Sequence, residues 1–257
     1  MILSRRFTLG GVQLDELHEA IVIQSIDPGI PNETVSASDK MGGFGQRITG
    51  QHWNMLESSV TFAINVPKRE MILRNEILDL VKAWAKAKQW LIFSNMPDRQ
   101  MYVDKVVLPG PGDLWEWTHE YTITFRAYNV PFWQQITPNI TKVNSITNGS
   151  VPFEVGGTAP SVLDIAFRNI SGKVIQNFAV TAAGKTITLN DVNIGASETL
   201  RISHGTDGLL RIMSGNRNVY SLYRGSDDLA VNPGSVTVKI TATRAGELTV
   251  TNTGRFL

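Results

Sequence analysis

The second half of the sequence contains no stretch with the hydrophobic period of an amphipathic helix. Short runs of alternating apolar and polar residues follow one another there at intervals of about 8–12 residues. Tight turns such as Ser171-Gly172 and Ala183-Gly184 separate several of the runs. This pattern restricts the half to two-sheet architectures and predicts a β-sandwich or jelly roll of eight or nine strands. The candidate strands are Val151–Val155, Ser161–Asn169, Val174–Thr181, Lys185–Leu189, Glu198–Ser203, Leu209–Met213, Val219–Tyr223, Ser235–Thr243 and Glu247–Asn252, with a further turn predicted at Ala245-Gly246.

The first half combines strand patterns with one helical pattern. Between Pro67 and Lys88, apolar residues recur at three- and four-residue spacing, which predicts a helix over about residues 67–88 with one apolar face. Pro67 suits the first helical position. The apolar face consists of Leu73, Ile77, Leu80, Val81 and Trp84. The strand candidates around the helix are Ala20–Ile26, Val60–Val66, Trp90–Ser94 and Met101–Leu108.

The longest strand candidate of this half is Trp115–Tyr128. Its odd positions form a largely apolar row and its even positions a polar row, which predicts a sheet that is packed on one face and solvated on the other. Glu116 and Glu120 share the polar row at a separation of about 13 Å. That separation exceeds the roughly 5–9.5 Å between the paired carboxylates of glycoside hydrolases. A solvated or pore-lining strip therefore suits them better than catalysis.

The segment from Ile136 to Ser150 is polar and contains Pro and Gly, so we predict either a linker or a polar connecting strand there. All six Trp precede residue 134. The chain carries 13 basic and 15 acidic residues up to Gln135, and 11 basic and 8 acidic residues after it. We therefore predict a mainly β protein with two domains. Residues 1–135 would form a β-sandwich-like domain with one helix, and residues 136–257 an all-β sandwich or jelly roll.

Composition excludes several classes of site. The sequence has no Cys, which excludes disulfides, thiolate nucleophiles, Cys-bound zinc and iron–sulfur clusters. The net charge of +1 gives no field suited to nucleic acid, so sequence-specific nucleic-acid binding is not expected. The first residues lack the apolar core of a signal peptide, and no apolar run is long enough to span a bilayer. We expect a soluble protein made in the cytoplasm and not inserted into a membrane.

The residues that could bind a metal ion or act in catalysis are scattered along the sequence. No two of the four histidines His18, His52, His119 and His204 lie within four residues of each other, and HExxH is absent. The pair Asp227-Asp228 fits a solvated acidic turn better than a calcium loop. No nucleophile motif is present. We therefore predict no catalytic residues, no metal site and no cofactor, and we expect a binding or assembly module.

A glycine-rich stretch, Met41-Gly-Gly-Phe-Gly45, lacks the Lys-Ser/Thr of a phosphate-binding loop. No helical pattern follows it, so no helix N-terminus is offered to a phosphate. Two interpretations remain, namely a flexible hairpin tip or an arm that becomes ordered against a partner subunit. Pro109-Gly-Pro-Gly112 fits the same two interpretations.

The order of these features resembles that of the distal tail proteins (Dit) of long, flexible-tailed phages and prophages. The likeness extends over essentially the whole chain, as the order and spacing of individually weak features. It is carried by Gly42-Gly-Phe-Gly45, Arg47-Ile-Thr, Val60-Thr-Phe-Ala-Ile, the helix Asn75–Trp84, Leu91-Ile-Phe, Pro97–Tyr102, the aromatic strand Tyr121–Trp133 that ends in Pro-Phe-Trp, and Gly156-Gly-Thr-Ala-Pro160.

The resemblance implies a structural protein of the phage tail tip, or baseplate hub, and no enzymatic activity. It implies an N-terminal domain that forms a hexameric ring between the tail tube protein and the tail-associated, or hub, protein, with a central channel for DNA. It also implies a galectin- or carbohydrate-binding-like jelly roll as the C-terminal domain. Receptor-binding proteins and a host-surface glycan are further candidate partners. The implied location is the virion tail tip, after synthesis and assembly in the host bacterial cytoplasm.

Two other classes of protein remain as alternatives. A carbohydrate-binding adhesin, or host-surface recognition module, would need exposed aromatic residues in the second half. We expect the aromatic side chains of that half to serve core packing instead; they are Phe153, Phe167, Phe178, Tyr220, Tyr223 and Phe256. A cell-wall hydrolase would need an acid/base pair of carboxylates, and the sequence shows none.

Overall fold

The computed structural model describes residues 6–39, 46–67, 69–108 and 120–257. Contacts between Cα atoms divide the chain into a first unit, Met1–Trp133 together with Leu257, and a second unit, Gln134–Phe256. No helix in the described part of the chain is long and apolar enough to cross a bilayer.

The first unit contains ten described β-strands and one helix, α1, at Met71–Trp84. One sheet has the strand order β2-β1-β7-β8, a second sheet has the order β3-β6-β10-β9, and β4 pairs with β5. The next strand, β11, crosses the boundary at Trp133–Gln135. The strands are β1 Phe7–Leu9, β2 Val12–Gln13, β3 Ile21–Asp27, β4 Glu33–Asp39, β5 Gln46–Trp53, β6 Leu56–Ile64, β7 Gln89–Phe93, β8 Arg99–Val103, β9 Lys105–Val107 and β10 Glu120–Ala127.

An aromatic cluster joins the two larger sheets of the first unit. Phe7 of β1 lies 6.0 Å from Phe125 of β10, measured between ring centroids, and 5.9 Å from Phe93 of β7. Trp84 of α1 meets Phe7 edge-on at 5.7 Å. The two sheets and the helix therefore share one apolar core, and the predicted β-sandwich-like domain with one helix is confirmed.

The predicted alternation along β10 is confirmed where the structure describes it. Tyr121, Ile123 and Phe125 are buried, whereas Glu120 and Thr122 are exposed. The predicted positions Trp115, Glu116, Trp117 and His119 lie outside the described residues, as do Gly42–Gly45 and Pro109–Gly112.

The helix is shorter than the predicted span of residues 67–88. It begins at Met71, because Glu70 donates its backbone N–H to Pro67 O in a preceding turn and has a non-helical conformation. It ends at Trp84, and Lys88, with φ of 66°, already donates its N–H to Val103 O beside the sheet. Pro67 is therefore not the first helical residue.

The buried face of the helix is also rotated from the predicted one. Leu80 was expected in the core but is exposed, and Leu78 is buried instead. The buried side chains are Arg74, Ile77, Leu78 and Val81.

The second unit consists of strands and a short 3-10 turn at Tyr220–Leu222. The sequence of this half has no helical pattern, and the all-β fold predicted from that absence is confirmed. The strands are β12 Asn139–Val155, β13 Ser161–Asn169, β14 Phe178–Ala182, β15 Lys185–Leu189, β16 Thr199–His204, β17 Leu210–Ser214, β18 Arg217–Asn218, β19 Tyr223–Gly225, β20 Ala230–Val231, β21 Gly234–Asn252 and β22 Arg255–Phe256.

Two long strands, β12 and β21, organise the second unit. They pair antiparallel from Asn139 opposite Asn252 to Val155 opposite Gly234, with irregularities in register between Val143 and Asn148. The first part of β21 also pairs with β14, and its last part pairs with β13. β12 and β21 thus lie at the centre of one ten-stranded sheet with two branches, one continuing through β14-β15-β19 and the other through β13-β16-β17-β18.

The core of the second unit lies between these two branches. Phe167 of β13 and Phe178 of β14 meet at 4.9 Å between ring centroids, and both are fully buried. The predicted all-β sandwich or jelly roll is confirmed.

Four local predictions for this half were wrong or incomplete. The polar segment 136–150 is largely the first part of β12, so the connecting strand is correct and the linker is not. Residues 174–177 precede β14, and the predicted strand Val219–Tyr223 is mostly the 3-10 turn. The predicted turn Ala245-Gly246 lies inside β21, because Gly246 is paired with Ile146 of β12 and with Asn169 of β13 and the strand continues past it.

Gly246→Ala should destabilise the second unit. A Cβ at position 246 would lie 2.2 Å from Phe167 Cζ, and the ring has no room to move because it packs on Phe178. We expect a loss of about 1–3 kcal/mol in the free energy of unfolding, as for overpacked cores. Urea denaturation measures it. Gly50→Ala is the matched control, since its Cβ would meet Ser36 Cβ at an ordinary 3.7 Å. Equal stability of the two variants would contradict the role of Gly246.

A buried carboxylate, Asp104, closes the end of β10. Its Oδ2 accepts hydrogen bonds from the backbone N–H groups of Tyr128 at 2.8 Å and Asn129 at 3.0 Å. Its Oδ1 accepts hydrogen bonds from Asn129 Nδ2 at 2.7 Å and from Lys88 Nζ at 3.1 Å. Burial alone raises the pKa of Asp104, but the hydrogen bonds from Asn129, Tyr128 and Lys88 outweigh it and hold the pKa below its usual 3.8.

Asp104→Asn should lower the free energy of unfolding at pH 7 by about 1–3 kcal/mol, because the three residues that donate hydrogen bonds to this carboxyl group lose a charged acceptor. The pKa is lower in the folded state, so the carboxylate stabilises the fold above its unfolded pKa. That stabilisation is lost as the pH falls through the folded pKa. The difference between the variant and the wild type should therefore shrink below about pH 4. Thermal unfolding across pH tests this, with the exposed Asp79→Asn as control. A difference independent of pH would contradict it.

Candidate functional site

The strands β4 and β5 form a hairpin that we call the arm, residues 33–39 and 46–53. Among the described residues these strands pair only with each other, from Glu33 opposite Trp53 to Asp39 opposite Gln46. The described side chains between Thr34 and Ser38 are all exposed, as are those of Ile48 and Thr49. The arm therefore has solvent on both faces of its two-stranded sheet.

The base of the arm is fixed to the first unit. The indole of Trp53 meets the ring of the buried Phe132 at 4.9 Å between centroids. Asn54 donates its backbone N–H to Asn32 O at 2.8 Å and its side-chain amide to Thr34 Oγ1 at 2.8 Å. These contacts hold the two strands together where they leave the core.

The arm exposes apolar side chains that a single copy of the chain leaves uncovered. Ile48 is 62% exposed, and Val35 is also exposed. An isolated two-stranded hairpin is marginal in water, and its unpaired edges are free to bind further backbone or side chains. Within the described residues, the arm thus leaves apolar side chains and both strand edges uncovered.

A second exposed apolar strip lies on α1. Ile72 is 78% exposed, and Leu80 lies two turns further along the same face, with Glu76 between them. Residues eight apart on a helix share a face. We call these three residues the helix strip.

A third surface is the outer face of the sheet β3-β6-β10-β9, which we call the hydroxyl face. Thr61 and Thr122 lie opposite each other with their hydroxyl oxygens 3.0 Å apart, and Thr124 lies opposite Ser59. At one end, Arg126 Nε donates to Glu57 Oε2 at 2.7 Å. Glu120 is exposed at the other end. The face is solvated and hydrogen-bonding, as the alternation along β10 predicts.

The histidines do not come together in the part of the chain that the structure describes. His18 Nδ1 accepts the N–H of Ala20 at 3.1 Å, His52 is exposed on the arm, and His204 is paired with Asp164 at 3.3 Å. No group of three or more His, Asp or Glu side chains among the described residues could hold a metal ion.

The acidic pair of the second unit has different partners. Asp228 forms an ion pair with Lys185 at 2.5 Å and accepts the N–H of Ala230. Burial raises its pKa, but Lys185 and the Ala230 N–H outweigh that effect and lower it. Asp227 is exposed beside Tyr223.

The sequence patterns missed the two strands of the arm and the exposure of the helix strip, although the glycine-rich stretch between β4 and β5 was interpreted as a hairpin tip or an arm. The arm has no apolar face that would produce an alternation, because both of its faces are exposed. In the helix, Leu80 was assigned to the predicted apolar face although it is exposed, and the exposed Ile72 did not belong to that face.

Among solved structures, the fold is shared over the full chain with the crystal structure of the SPP1 Dit (gp 19.1) protein, described as a paradigm of the hub adsorption apparatus in phages that infect Gram-positive bacteria. That match has a TM-score of 0.68 and 16% sequence identity, and it covers 98% of this chain and 99% of that chain. The fold expected from the resemblance to Dit proteins is therefore confirmed.

Two structures of the phage P2 baseplate in its activated conformation, with Ca and with Sr, match at TM-scores of 0.39 and 0.40. Each has 10% identity and covers 96% of this chain and 97% of that chain. No protein-family model and no curated protein matches the sequence.

Proposed function

We propose that this chain is a structural protein of a phage tail tip, where it assembles as a ring that joins the tail tube to the receptor-binding apparatus. The observation that carries this proposal is the correspondence of fold with SPP1 Dit over both chains in full. Because the same fold extends over the whole length of both chains, a similar function is favoured, although fold alone does not fix function. The location that follows is the virion tail tip, after synthesis and assembly in the host bacterial cytoplasm.

The arm supplies the kind of contact that a ring needs. A closed ring is built from heterologous interfaces, in which one patch of a subunit binds a different patch of the next. A projecting hairpin that lies on the neighbouring copy is such a patch. Burial of Ile48 and Val35 there would complete the marginal two-stranded sheet. Six copies per ring is the number that the resemblance to Dit proteins implies.

The proposed partners follow from the position in the tail. The tail tube protein lies on one side of the ring, and the tail-associated, or hub, protein lies on the other. Receptor-binding proteins attach further out. The helix strip is a candidate surface for one of these proteins, since exposed apolar patches mark protein contacts. We assign the chain a structural role without catalysis, cofactor or metal.

The hydroxyl face and Glu120 are candidates for the channel wall. Passing DNA must not adhere to the wall, and a neutral to acidic surface avoids counterion-release binding to phosphate. Glu116, which lies outside the described residues, belongs to the same polar row of the sequence.

Ile48→Asp should prevent ring formation, because it places a charge where an apolar side chain would be buried between copies. The measurement is solution mass by light scattering, followed by negative-stain imaging of the same peak. The wild type is expected to form a hexamer-sized species with an open centre, alone or with co-expressed tail tube protein, and the variant a monomer. Leu209→Asp, at an exposed apolar position of the second unit, is the control and should leave the ring intact. A wild type that is monomeric under both conditions would contradict the ring.

Replacing Glu116 and Glu120 by Lys should increase retention of double-stranded DNA by the purified ring, and the increase should fall with salt. The control variant carries Lys at Asp98 and Glu154, exposed positions that give the same change in net charge. Electrophoretic mobility shift at several salt concentrations measures retention. Unchanged binding, or an equal increase in both variants, would remove the channel role of these glutamates.

A further inference from the structure

A lysine between two exposed apolar side chains marks one bend of the second unit, between β13 and β14. Ile170 is 46% exposed and Val174 is 49% exposed. Lys173 is also exposed and forms no ion pair among the described residues. We call residues 170–174 the bend. It presents a cation that is flanked by two apolar groups.

The other exposed apolar side chains of the second unit lack this pattern. Tyr220 is 46% exposed, so the expectation that it packs in the core was wrong. Three other aromatic side chains are buried as expected, namely Phe153, Phe167 and Phe178. Leu209 is 64% exposed, but the nearby Arg211 is already paired with Asp207 at 2.6 Å. Within the described residues, the bend is the one five-residue segment in which an unpaired cation lies between two exposed large apolar side chains.

The backbone of the bend is held from both sides. The fully buried Asn169 donates its side-chain amide to Lys173 O at 2.7 Å and to Ile194 O at 2.9 Å. Its Oδ1 accepts the backbone N–H of Ser171 at 2.9 Å. After the bend, the buried Ile175 donates its N–H to Ile194 O at 3.0 Å and accepts the N–H of Ile194 at 2.8 Å. A segment fixed in this way loses little conformational entropy when it binds another surface.

The helix strip of the first unit has the opposite pattern. Ile72 and Leu80 are 78% and 47% exposed, and the exposed Glu76 lies between them. Successive members of the strip are about 6 Å apart along the helix axis, since each of the four residues adds a rise of about 1.5 Å. Glu76 forms no ion pair among the described residues. The strip therefore presents an anion that is flanked by two apolar groups.

Neither surface is suited to pair with the same surface of another copy. In a two-fold contact each patch meets itself. Two helix strips packed in that way would bring two Glu76 carboxylates together at the axis, and two bends would bring two Lys173 ammonium groups together. Like charges placed against each other disfavour such contacts. Each surface is instead complementary to a patch of opposite charge with apolar groups on both sides.

We propose that the helix strip of one copy of the chain binds the bend of a second copy. Lys173 of the bend then pairs with Glu76, and the apolar side chains of the two surfaces pack on each other. A second copy matches both the charge and the apolar pattern of the strip. This contact goes beyond the proposed ring, which uses the arm.

The small size of the contact sets its strength. A stable interface buries about 1,200–2,000 Å², and three side chains on each surface cover less than that. One such contact is therefore weak, whereas several formed at once between assembled copies reinforce each other through their effective concentration. Because the arm takes no part, a ring without this contact and this contact without a ring are distinguishable results.

The first test uses the purified full chain, mixed from ¹⁵N-labelled and unlabelled protein. A carbodiimide joins a carboxylate to an amine that touches it, through an amide bond, and takes up the water released. The expected product is a Glu76–Lys173 peptide pair, identified by mass spectrometry, in which one peptide is labelled and the other is not. Lys142, an exposed lysine of β12, is the internal control and should not link to Glu76. A Glu76–Lys173 pair that is absent, formed only within single chains, or matched in yield by Lys142 would overturn the proposal and leave the helix strip to a tail protein.

Charge reversal separates this pairing from a general effect of charge. Glu76→Lys and Lys173→Glu should each weaken self-association about tenfold, because each places like charges in the contact. The double variant exchanges the two charges, keeps the net charge, and should associate as the wild type does. Lys142→Glu changes the net charge as Lys173→Glu does and should have no effect. Sedimentation velocity over a concentration series measures association, and circular dichroism confirms folding. Single variants that associate like the wild type, or a double variant as weak as the single ones, would contradict the contact.

Discussion

The pairing of β12 with β21 is the interaction on which the second unit depends. Both strands run the length of the ten-stranded sheet, so one ladder fixes the register of both of its branches. At Gly246 the ladder leaves no room for a side chain, because the ring of Phe167 lies there. The same ring packs on Phe178 of the other branch. Strand pairing and core packing therefore meet at this position.

Much of this fold is encoded in local patterns. The alternation along β10 correctly identified the buried face, and Ala183-Gly184 forms the predicted hairpin with φ of 47° and 80°. The failures have a common physical cause, which is that a distant contact outweighs a local signal. Ala245-Gly246 has the composition of a turn, but pairing of Gly246 with Ile146 and Asn169 makes it strand. The polar start of β12 looks like a linker because its partner, β21, supplies the pairing from about a hundred residues away.

The candidate surfaces were less predictable than the core. Sequence patterns locate buried residues because burial imposes a period, and a surface that waits for a partner has no such period. The arm shows this, since Val35 and Ile48 are exposed on a hairpin with no buried face. Tyr220 shows the converse, because an aromatic residue within a strand-like run is assigned to the core by default. Only the polar row that contains Glu120 could be anticipated, since it belongs to a strand whose other face is buried.

The ladder has a mechanical consequence. Asn139 and Asn252, the first residue of β12 and the last of β21, are paired with each other. A load that pulls these two residues apart acts across the strands, so the hydrogen bonds would open one pair at a time, as in a zipper. A load applied instead at Asn139 and Gly234 would act along the strands and would have to shear many bonds together. The ladder is therefore compliant at the end where Asn139 and Asn252 pair and stiff along its length, so tension applied to these two residues would begin to open it at that end first.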